Sequence, residues 1–173
     1  MEAKPTAFQD ILIDNKDKIY RICCYYLSDP EDRKDLYQEI LINIWRSLPS
    51  FKGKSKLETW IFRIAVNSAL GFIYKEKKRK DKNDVSKDIV DIQIESNQSK
   101  MDEEDKYQQV LEAINCLKTS DKVLISMYLE NLSQKEIAEI SGFSESNVRV
   151  KIHRIKKILT RIVHTKEKKN GKV

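Results

Sequence analysis

The chain has 173 residues, of which 40% are apolar and 35% charged, and it carries a net charge of +6. This length fits one large domain or two small ones, and the composition is typical of a globular, soluble protein. Because Arg63 and Asn67 interrupt the best candidate for a membrane span, no apolar run is long enough to cross a bilayer.

The residues that enzymes and metal sites need are scarce or badly placed. Both histidines, His153 and His164, lie in one basic segment, which leaves no credible zinc site and little material for a Ser-His-Asp triad. Cys23, Cys24 and Cys116 form no Cys-x-x-Cys motif and are interpreted as inert buried thiols. The four glycines form no phosphate-binding loop. The sequence therefore argues against an enzyme and against a bound metal or cofactor.

The N-terminal sequence MEAKPTAFQD lacks the basic and then apolar pattern of a secretory signal, which predicts a cytoplasmic protein. Few prolines and almost no alternation of polar and apolar residues predict an all-α fold with two small helical domains. The first domain should cover residues 7–80. Its first helix, from about Ala7 to Leu27, should bury Phe8, Ile11, Leu12, Ile19, Ile22, Cys23 and Tyr26.

A second helix should begin after Asp29, because Asp is a favoured N-cap and Pro30 then occupies the first helical position. It should run to about Leu48. Its core side carries Leu36, Tyr37, Ile40, Ile44 and Leu48. Its opposite side carries Asp35, Gln38, Glu39, Ile42 and Arg46. An isoleucine among acidic residues, which would repel phosphate, indicates a protein partner, although one exposed isoleucine is common on any protein.

The loop SFKGKSK precedes a third helix, predicted from about Leu57 to Lys80. This helix should be covered on two sides, because it carries two apolar stripes. The first stripe comprises Leu57, Ile61, Ile64, Ser68 and Phe72. The second comprises Phe62, Val66, Ala69 and Ile73. The remaining face carries Thr59, Trp60, Arg63, Asn67 and Tyr74. It adjoins the loop residues Phe51, Lys52, Lys54 and Lys56. Aromatic, cationic and amide groups together suit stacking and hydrogen bonding to bases. The alternative is a merely solvated face with Trp60 in the core.

Residues 81–104 are polar and predict a linker. The second domain should cover residues 105–165, followed by a basic tail, 166–173. Its first helix should carry Tyr107, Val110, Leu111, Ile114 and Leu117. Ser120 should cap the next helix, which carries Val123, Leu124, Met127 and Tyr128.

Residues 132–162 predict a helix-turn-helix. Ser133 and Glu136 have capping-box spacing, so a helix should begin at Gln134 and bury Ile137, Ala138 and Ile140. Gly142 permits a tight turn, and Ser144 can cap the next helix. The apolar face of that helix comprises Val148, Ile152, Ile155, Leu159 and Ile162. The opposite face comprises Ser146, Asn147, Arg149, His153, Arg154, Lys157 and Arg161.

The positive charge is concentrated at this end of the chain. Residues 144–173 contain ten Lys or Arg and two acids, a net charge of +8, so residues 1–143 carry −2. A short first helix, a three-residue turn and a cationic second helix are typical of major-groove binding. The alternative is an ordinary helical hairpin with a solvated charged face.

Taken in order, these two regions resemble the extracytoplasmic-function sigma factors of bacterial RNA polymerase. Residues 29–73, with the Asp-x-x-Gln-Glu helix and the Trp-x-x-Arg-Ile-Ala-x-Asn helix, are similar to region two of that family. Residues 132–159 are similar to region four. The resemblance covers roughly residues 8–162. It implies a protein that binds polymerase core and directs promoter-specific initiation, including strand opening.

The resemblance also assigns residue roles. It places polymerase docking on Asp35, Gln38, Glu39 and Ile42. It places opening of the minus-ten element and capture of its single strand on Phe51, Lys54, Ser55, Trp60, Arg63 and Asn67. It places reading of the duplex minus-thirty-five element on Ser146, Asn147, Arg149, Val150, His153, Arg154 and Lys157. Family members often have a small polar residue or Arg where Val150 and His153 stand, so their base preference does not carry over.

The partners that the resemblance implies are polymerase core and promoter DNA, with no small-molecule substrate and no membrane insertion. Many family members also bind an anti-sigma factor, although no residue of this chain demonstrates one. The alternative function is a free-standing helix-turn-helix regulator whose N-terminal bundle senses a ligand or dimerises. Such a regulator would bind an isolated operator tightly, whereas a sigma factor should bind promoter DNA weakly without core. A helical RNA-processing enzyme is disfavoured by the missing catalytic groups.

Overall fold

The computed structural model of the chain describes residues 4–83 and 103–170, with side chains for residues 8–79 and 103–165. The described residues form helices and no strand, which confirms the all-α prediction. A single 3₁₀ turn, Leu48–Ser50, follows the second helix. The α-helices are α1 Lys4–Tyr26, α2 Pro30–Ser47, α3 Leu57–Asn83, α4 Glu103–Asn115, α5 Thr119–Leu129, α6 Gln134–Ser141 and α7 Glu145–Asn170.

Helix α2 begins at its predicted cap. The Asp29 carboxylate accepts hydrogen bonds from the backbone N–H groups of Glu31, at 2.9 Å, and Asp32, at 3.0 Å. Helix α3 continues three residues beyond its predicted end, to Asn83, and α4 begins at Glu103. Helix therefore occupies both ends of the segment predicted as a linker, and residues 84–102 lie outside the described residues.

Helices α1, α2 and α3 pack against one another and form the N-terminal bundle. Its core includes Leu36, Ile40 and Ile44 of α2, all fully buried. Ile61 and Phe62 of α3 are also both fully buried. Consecutive residues of a helix point about 100° apart, so the burial of both confirms that α3 is covered on two sides.

Helices α4, α5 and α6 each pack against α7 and form with it the C-terminal bundle. Val148, Ile152 and Ile155 of α7 are buried, and Leu159 and Ile162 are half-buried, as the apolar periodicity predicted. The two bundles meet along α1, which contacts both α4 and α5.

The helix-turn-helix has the predicted local signals. Ser133 and Glu136 form both bonds of the capping box at the start of α6. Gly142 adopts the left-handed conformation, with φ 75°, which ends α6. The Ser144 hydroxyl then accepts a hydrogen bond from the backbone N–H of Asn147 at 3.3 Å and so caps α7.

Two predictions about the C-terminal bundle were wrong. Ser120 does not cap α5: the helix begins at Thr119, because the Lys118 carbonyl accepts the first bonds, from the N–H groups of Asp121 and Lys122. Cys116 is exposed, because α4 ends one residue earlier and the helical periodicity stops there.

The other two cysteines have the predicted environment. Cys23 and Cys24 of α1 are buried, and burial raises the pKa of the Cys23 thiol to about 12. A thiol with so high a pKa carries almost no thiolate at neutral pH and is a poor nucleophile. We therefore interpret both residues as packing groups.

The capping box gives a stability prediction. Ser133→Ala should lower the free energy of unfolding by about 1 kcal/mol and the melting temperature by roughly 2–4 °C, because the N–H of Glu136 loses its acceptor. Ser120→Ala, an exposed serine in the first turn of α5, is the matched control and should change stability by only a few tenths of a kcal/mol. Thermal unfolding followed by circular dichroism measures both, and equal melting temperatures for the two variants would contradict the capping assignment.

The effect of Ser133→Ala on the free energy of unfolding should depend on pH. Hydrogen bonds from Ser133, first from its backbone N–H and then from its hydroxyl, lower the pKa of the Glu136 carboxyl from 4.5 to about 2. Their contribution to stability is present at neutral pH and is lost as the pH falls from 4.5 towards about 2. Ser133→Ala removes only the hydroxyl bond, so the difference in the free energy of unfolding between parent and Ser133→Ala should narrow over that pH range.

Candidate nucleic-acid and protein interfaces

Helix α7 carries a polar, exposed face opposite its buried stripe. We define the reading face as six exposed residues of this helix, which are Ser146, Asn147, Arg149, Val150, His153 and Lys157. Val150 is 67% exposed, so an apolar side chain is open to solvent among hydrogen-bonding groups. Such a mixture matches a base edge that presents both polar atoms and a methyl group.

Arg149 is held by the preceding helix. Its Nε donates a hydrogen bond to the amide oxygen Oε1 of Gln134, at the first position of α6, over 3.2 Å. This bond uses one of the five N–H donors of the guanidinium, so the fork needed for bidentate recognition of guanine is left to a partner. Gln134 is a positioning residue that the sequence did not single out.

Arg154 has a different environment from Arg149. One terminal nitrogen of its guanidinium lies 3.2 and 3.3 Å from the two carboxylate oxygens of Asp121 on α5. Asp121 is 8% exposed, so this ion pair ties α7 to α5 at the edge of the C-terminal bundle. Arg149 and Arg154, which were predicted to read the duplex together, are both exposed but have different partners. No sequence signal marks Asp121 as its partner.

Two lysines of α7 lie over aromatic rings. The ammonium of Lys151 is 4.7 Å from the ring centre of Phe143, in the turn, and that of Lys156 is 3.8 Å from the ring centre of Tyr128. These cation–π contacts hold positive charge along the sides of the helix. They also explain why Phe143 and Tyr128 are partly exposed.

A second candidate surface lies on α3 and the loop before it. We define the strip as Phe51, Trp60, Arg63 and Asn67. The rings of Phe51 and Trp60 are 5.0 Å apart and tilted by 48°, and both are half-buried. Arg63 and Asn67 are exposed and follow Trp60 by about one and two turns. The structure therefore brings an aromatic pair, a cation and an amide together on one side of α3.

The loop residues flank this strip. Lys54 is exposed and Ser55 half-buried, after Gly53, whose φ of 66° favours a residue without a Cβ. Trp60 packs partly against the core, so the two interpretations of the sequence both hold in part for this residue.

Thr59 is a correction to the predicted polar face. It is only 8% exposed, and its hydroxyl donates a hydrogen bond to Oε1 of Glu136 at 3.3 Å. Glu136 belongs to the C-terminal bundle, so this part of α3 is covered by a helix distant in sequence.

The exposed side of α2 forms a third surface, the docking face, which we define as Asp35, Gln38, Ile42 and Trp45. Ile42 is 49% and Trp45 48% exposed, and the Trp45 ring makes an edge contact with Phe8 at 4.8 Å. The sequence prediction missed Trp45, although its position three residues after Ile42 places it on the same side of a helix.

Glu39 does not belong fully to this face. Its carboxylate lies 2.9 Å from the ammonium of Lys75, and its side chain is 31% exposed. It therefore links α2 to α3, whereas the sequence placed it on the open side of α2.

Within residues 4–83 and 103–170, no cluster of three His, Cys, Asp or Glu side chains could hold a metal ion. Over the same ranges, none of the helices combines the length and the apolar character that a bilayer span requires.

Comparison with known proteins matches two family models to the two halves of the chain. The model for sigma-70 region 2 matches residues 12–79, and the model for sigma-70 region 4 matches residues 107–159. The chain is 26% identical to RNA polymerase sigma factor SigV of Bacillus subtilis over 156 residues, which is 90% of each chain. It is 29% identical over 169 residues to ECF RNA polymerase sigma factor SigW of Bacillus subtilis, covering 86% of this chain and 84% of that protein.

A solved structure has a similar fold. The sigma factor RpoE from Bartonella quintana, in complex with the anti-sigma factor NepR, superposes with a TM-score of 0.71 at 20% identity. The match covers 91% of this chain and 97% of that chain, so it includes both bundles.

Proposed function

The chain belongs to the extracytoplasmic-function group of the sigma-70 family of RNA polymerase sigma factors, and from this we propose how its three surfaces divide the work of promoter recognition. The observation that carries the proposal is the presence of both family regions, in order, with a distinct exposed surface in each. Region 2 holds the docking face and the strip, and region 4 holds the reading face. Two such regions disfavour the alternative of a free-standing helix-turn-helix regulator.

Its partners would be the polymerase core and promoter DNA, and its place of action the cytoplasm, where both are found. No covalent bond would be made or broken by the chain itself, so it would act as a specificity factor and not as an enzyme. An anti-sigma factor is a further proposed partner, because the similar RpoE structure contains one.

The docking face would bind the polymerase core. Exposed Ile42 and Trp45 supply apolar area, and Asp35 and Gln38 surround them with groups that attract a basic or amide-rich partner. Glu39 would contribute to the same contact once its pairing with Lys75 is exchanged for a partner's cation.

The strip would capture a base of the minus-ten element. Taking a base out of its stack costs a few kcal/mol, which stacking on aromatic rings and hydrogen bonding to base edges can offset. Phe51 and Trp60 would supply the stacking surface. Asn67 would supply a donor and an acceptor, and Arg63 with Lys54 and Ser55 would hold the backbone.

The reading face would enter the major groove of the minus-thirty-five element. Arg149, Val150 and His153 lie in the N-terminal half of α7, where a recognition helix contacts base edges. Ser146 and Asn147 would bind the first phosphates, and Lys157 would bind phosphate where the helix leaves the groove. Arg154 is tied to Asp121, and we propose that it supports the helix and reaches only phosphate.

The docking proposal predicts that Asp35→Ala with Gln38→Ala will weaken binding to purified polymerase core about tenfold. Both side chains are exposed on α2, so the fold should be unchanged. The matched control is Gln9→Ala with Asp14→Ala, an exposed pair of the same residue types on α1. Fluorescence titration with core measures both, and equal affinities of the two double variants would exclude this face from docking.

The strand-capture proposal predicts that Asn67→Ala will reduce open-complex formation more than it reduces binding to closed duplex promoter. The reason is that an amide on the strip can bind a base edge only after the base has left its stack. Permanganate reactivity of promoter thymines, normalised to bound complex, measures the effect.

Lys77→Ala, an exposed cation farther along α3, is the control for this experiment and should leave the normalised reactivity unchanged. If Asn67→Ala also leaves it unchanged, the strip is not a base-capture surface. Trp60→Ala requires a melting curve as well, because Trp60 packs against Phe51 and the core.

The duplex-reading proposal predicts different effects for two cations of α7. Arg149→Ala should cost about 1–3 kcal/mol on the preferred upstream element and reduce discrimination at one or two base positions. Lys157→Ala should weaken binding to all sequences alike and lower the salt slope by roughly one unit. Affinities for single-base variants of the element at two salt concentrations test both, and a uniform loss for Arg149→Ala would place base reading elsewhere on α7.

A further inference from the structure

The side of α3 that carries the strip continues beyond Asn67. Successive residues of an α-helix are turned by about 100°, so Gly71, Tyr74 and Lys78 lie within about 40° of Asn67 around the helix axis. We call Gly71, Tyr74 and Lys78 the extension. Helix α3 runs without a break to Asn83, so the strip residues on α3 and the extension share one rigid backbone.

Tyr74 is the most exposed aromatic side chain among the described residues, at 68%. A tyrosine in a core gains free energy from burial of its ring, and Tyr74 leaves most of that area in water. It follows Asn67 by seven residues, which is about 10 Å along the helix axis. Stacked nucleotides of one strand are about 3.4 Å apart, so this distance corresponds to roughly three nucleotide steps. A strand that is held at Asn67 and lies along α3 therefore brings a second base to Tyr74.

Gly71 leaves a gap in the row of side chains between Asn67 and Tyr74. A glycine in the interior of a helix lowers the stability of that helix relative to alanine. Packing does not explain this glycine, because a Cβ added to it would meet no other part of the protein within 4 Å. Glycine also lets a ligand come close to the backbone. The gap is therefore suited to the sugar or base of a nucleotide that lies along α3.

A positive charge follows Tyr74 by about one turn of the helix. Lys78 is exposed and lies four residues after Tyr74, so its ammonium can bind the phosphate of a nucleotide whose base stacks on the ring. Lys75 is placed differently, because it is turned about 80° away from Asn67 and its ammonium is paired with Glu39 at 2.9 Å. Tyr74 and Lys78 thus provide the two contacts, stacking and charge, that a single nucleotide needs.

We propose that the extension is a second nucleotide site, in which a base of the opened promoter strand stacks on Tyr74, its sugar lies over Gly71 and Lys78 binds its phosphate. The inference rests on the proposed function, because the strip is taken to hold the first base of that strand. Every base has a π-face, so stacking on a ring tolerates any sequence. The second site therefore adds affinity for opened DNA and leaves the base preference to the strip.

The first test uses the preassembled complex of the chain with polymerase core and a forked promoter whose minus-ten segment is single-stranded. Tyr74→Ala should weaken binding to the fork about fivefold or more, because the stacking of one base is lost. Tyr74→Phe should bind like the parent, because the ring is retained. Tyr20→Ala, which removes an exposed tyrosine of α1, is the matched control and should also bind like the parent.

The second test locates the base that Tyr74 binds. An abasic nucleotide is placed in turn at each position of the single strand, and the affinity of each fork is measured for the parent, Asn67→Ala and Tyr74→Ala. At one position Tyr74→Ala should cause no further loss, because the base that the ring would bind is already absent. That position should lie roughly three nucleotides from the position at which Asn67→Ala causes no further loss.

Gly71→Leu tests the gap. Leucine favours helix more than glycine does and has open space here, so the melting temperature should rise by roughly 2–4 °C. The new side chain would occupy the space of the nucleotide, so binding to the fork should weaken about fivefold or more. A variant that is more stable than the parent and binds less tightly separates a role in binding from a role in folding.

Three results would overturn the second site. They are an equal loss for Tyr74→Ala at every abasic position, an equal loss on closed duplex promoter, and unchanged fork binding by Gly71→Leu. Failure of the parent to bind polymerase core or the fork would refute the proposed function. Tight binding of the fork by the parent, with no effect of Tyr74→Ala, would refute the second nucleotide site alone.

Discussion

Both bundles depend on the burial of one end of α1. Residues Ile22 to Tyr26 are five consecutive buried positions, so this part of the helix has no solvent side. A helix covered all round needs neighbours in every direction, and here α2 and α3 cover one side while α4 and α5 cover the other. The hydroxyls of Tyr25 and Tyr26 must then find partners inside the interface, and Glu130 and Ser126 supply them. The part-exposed Arg21 binds the same Glu130 carboxylate.

Each candidate DNA-binding surface lies on the exposed side of a helix whose opposite side is buried. On α7 the buried stripe contacts the other helices of its bundle, and the opposite residues are exposed over several turns. On α3 two sides are covered, so between Thr59 and Ile73 only Arg63 and Asn67 are exposed. The different widths suit the different targets, because a duplex groove accepts a whole helix face whereas a single base needs one small site.

The local features were predictable from the sequence, and the long-range pairings were not. Asp29, Ser133 and Gly142 act on atoms within a few residues, so their roles can be deduced from spacing. Thr59 was assigned to the open face of α3 because nothing in its neighbourhood reveals Glu136, which lies 77 positions away. The ion pair between Arg21 and Glu130 joins residues 109 positions apart, and a glutamate before a turn has no local mark of burial. The exposure of side chains was predicted correctly where it follows helical periodicity and wrongly where the other bundle intervenes.

The two oxygens of the Glu136 carboxylate are used for separate purposes. Oε2 accepts both bonds from Ser133, which cap α6, at 2.9 and 2.7 Å. Oε1 makes the contacts with Lys56 and Thr59 of the other bundle. The cap of α6 therefore does not depend on the neighbouring bundle. One carboxylate holds a local and a long-range contact at once, through different oxygens that do not compete for the same donor.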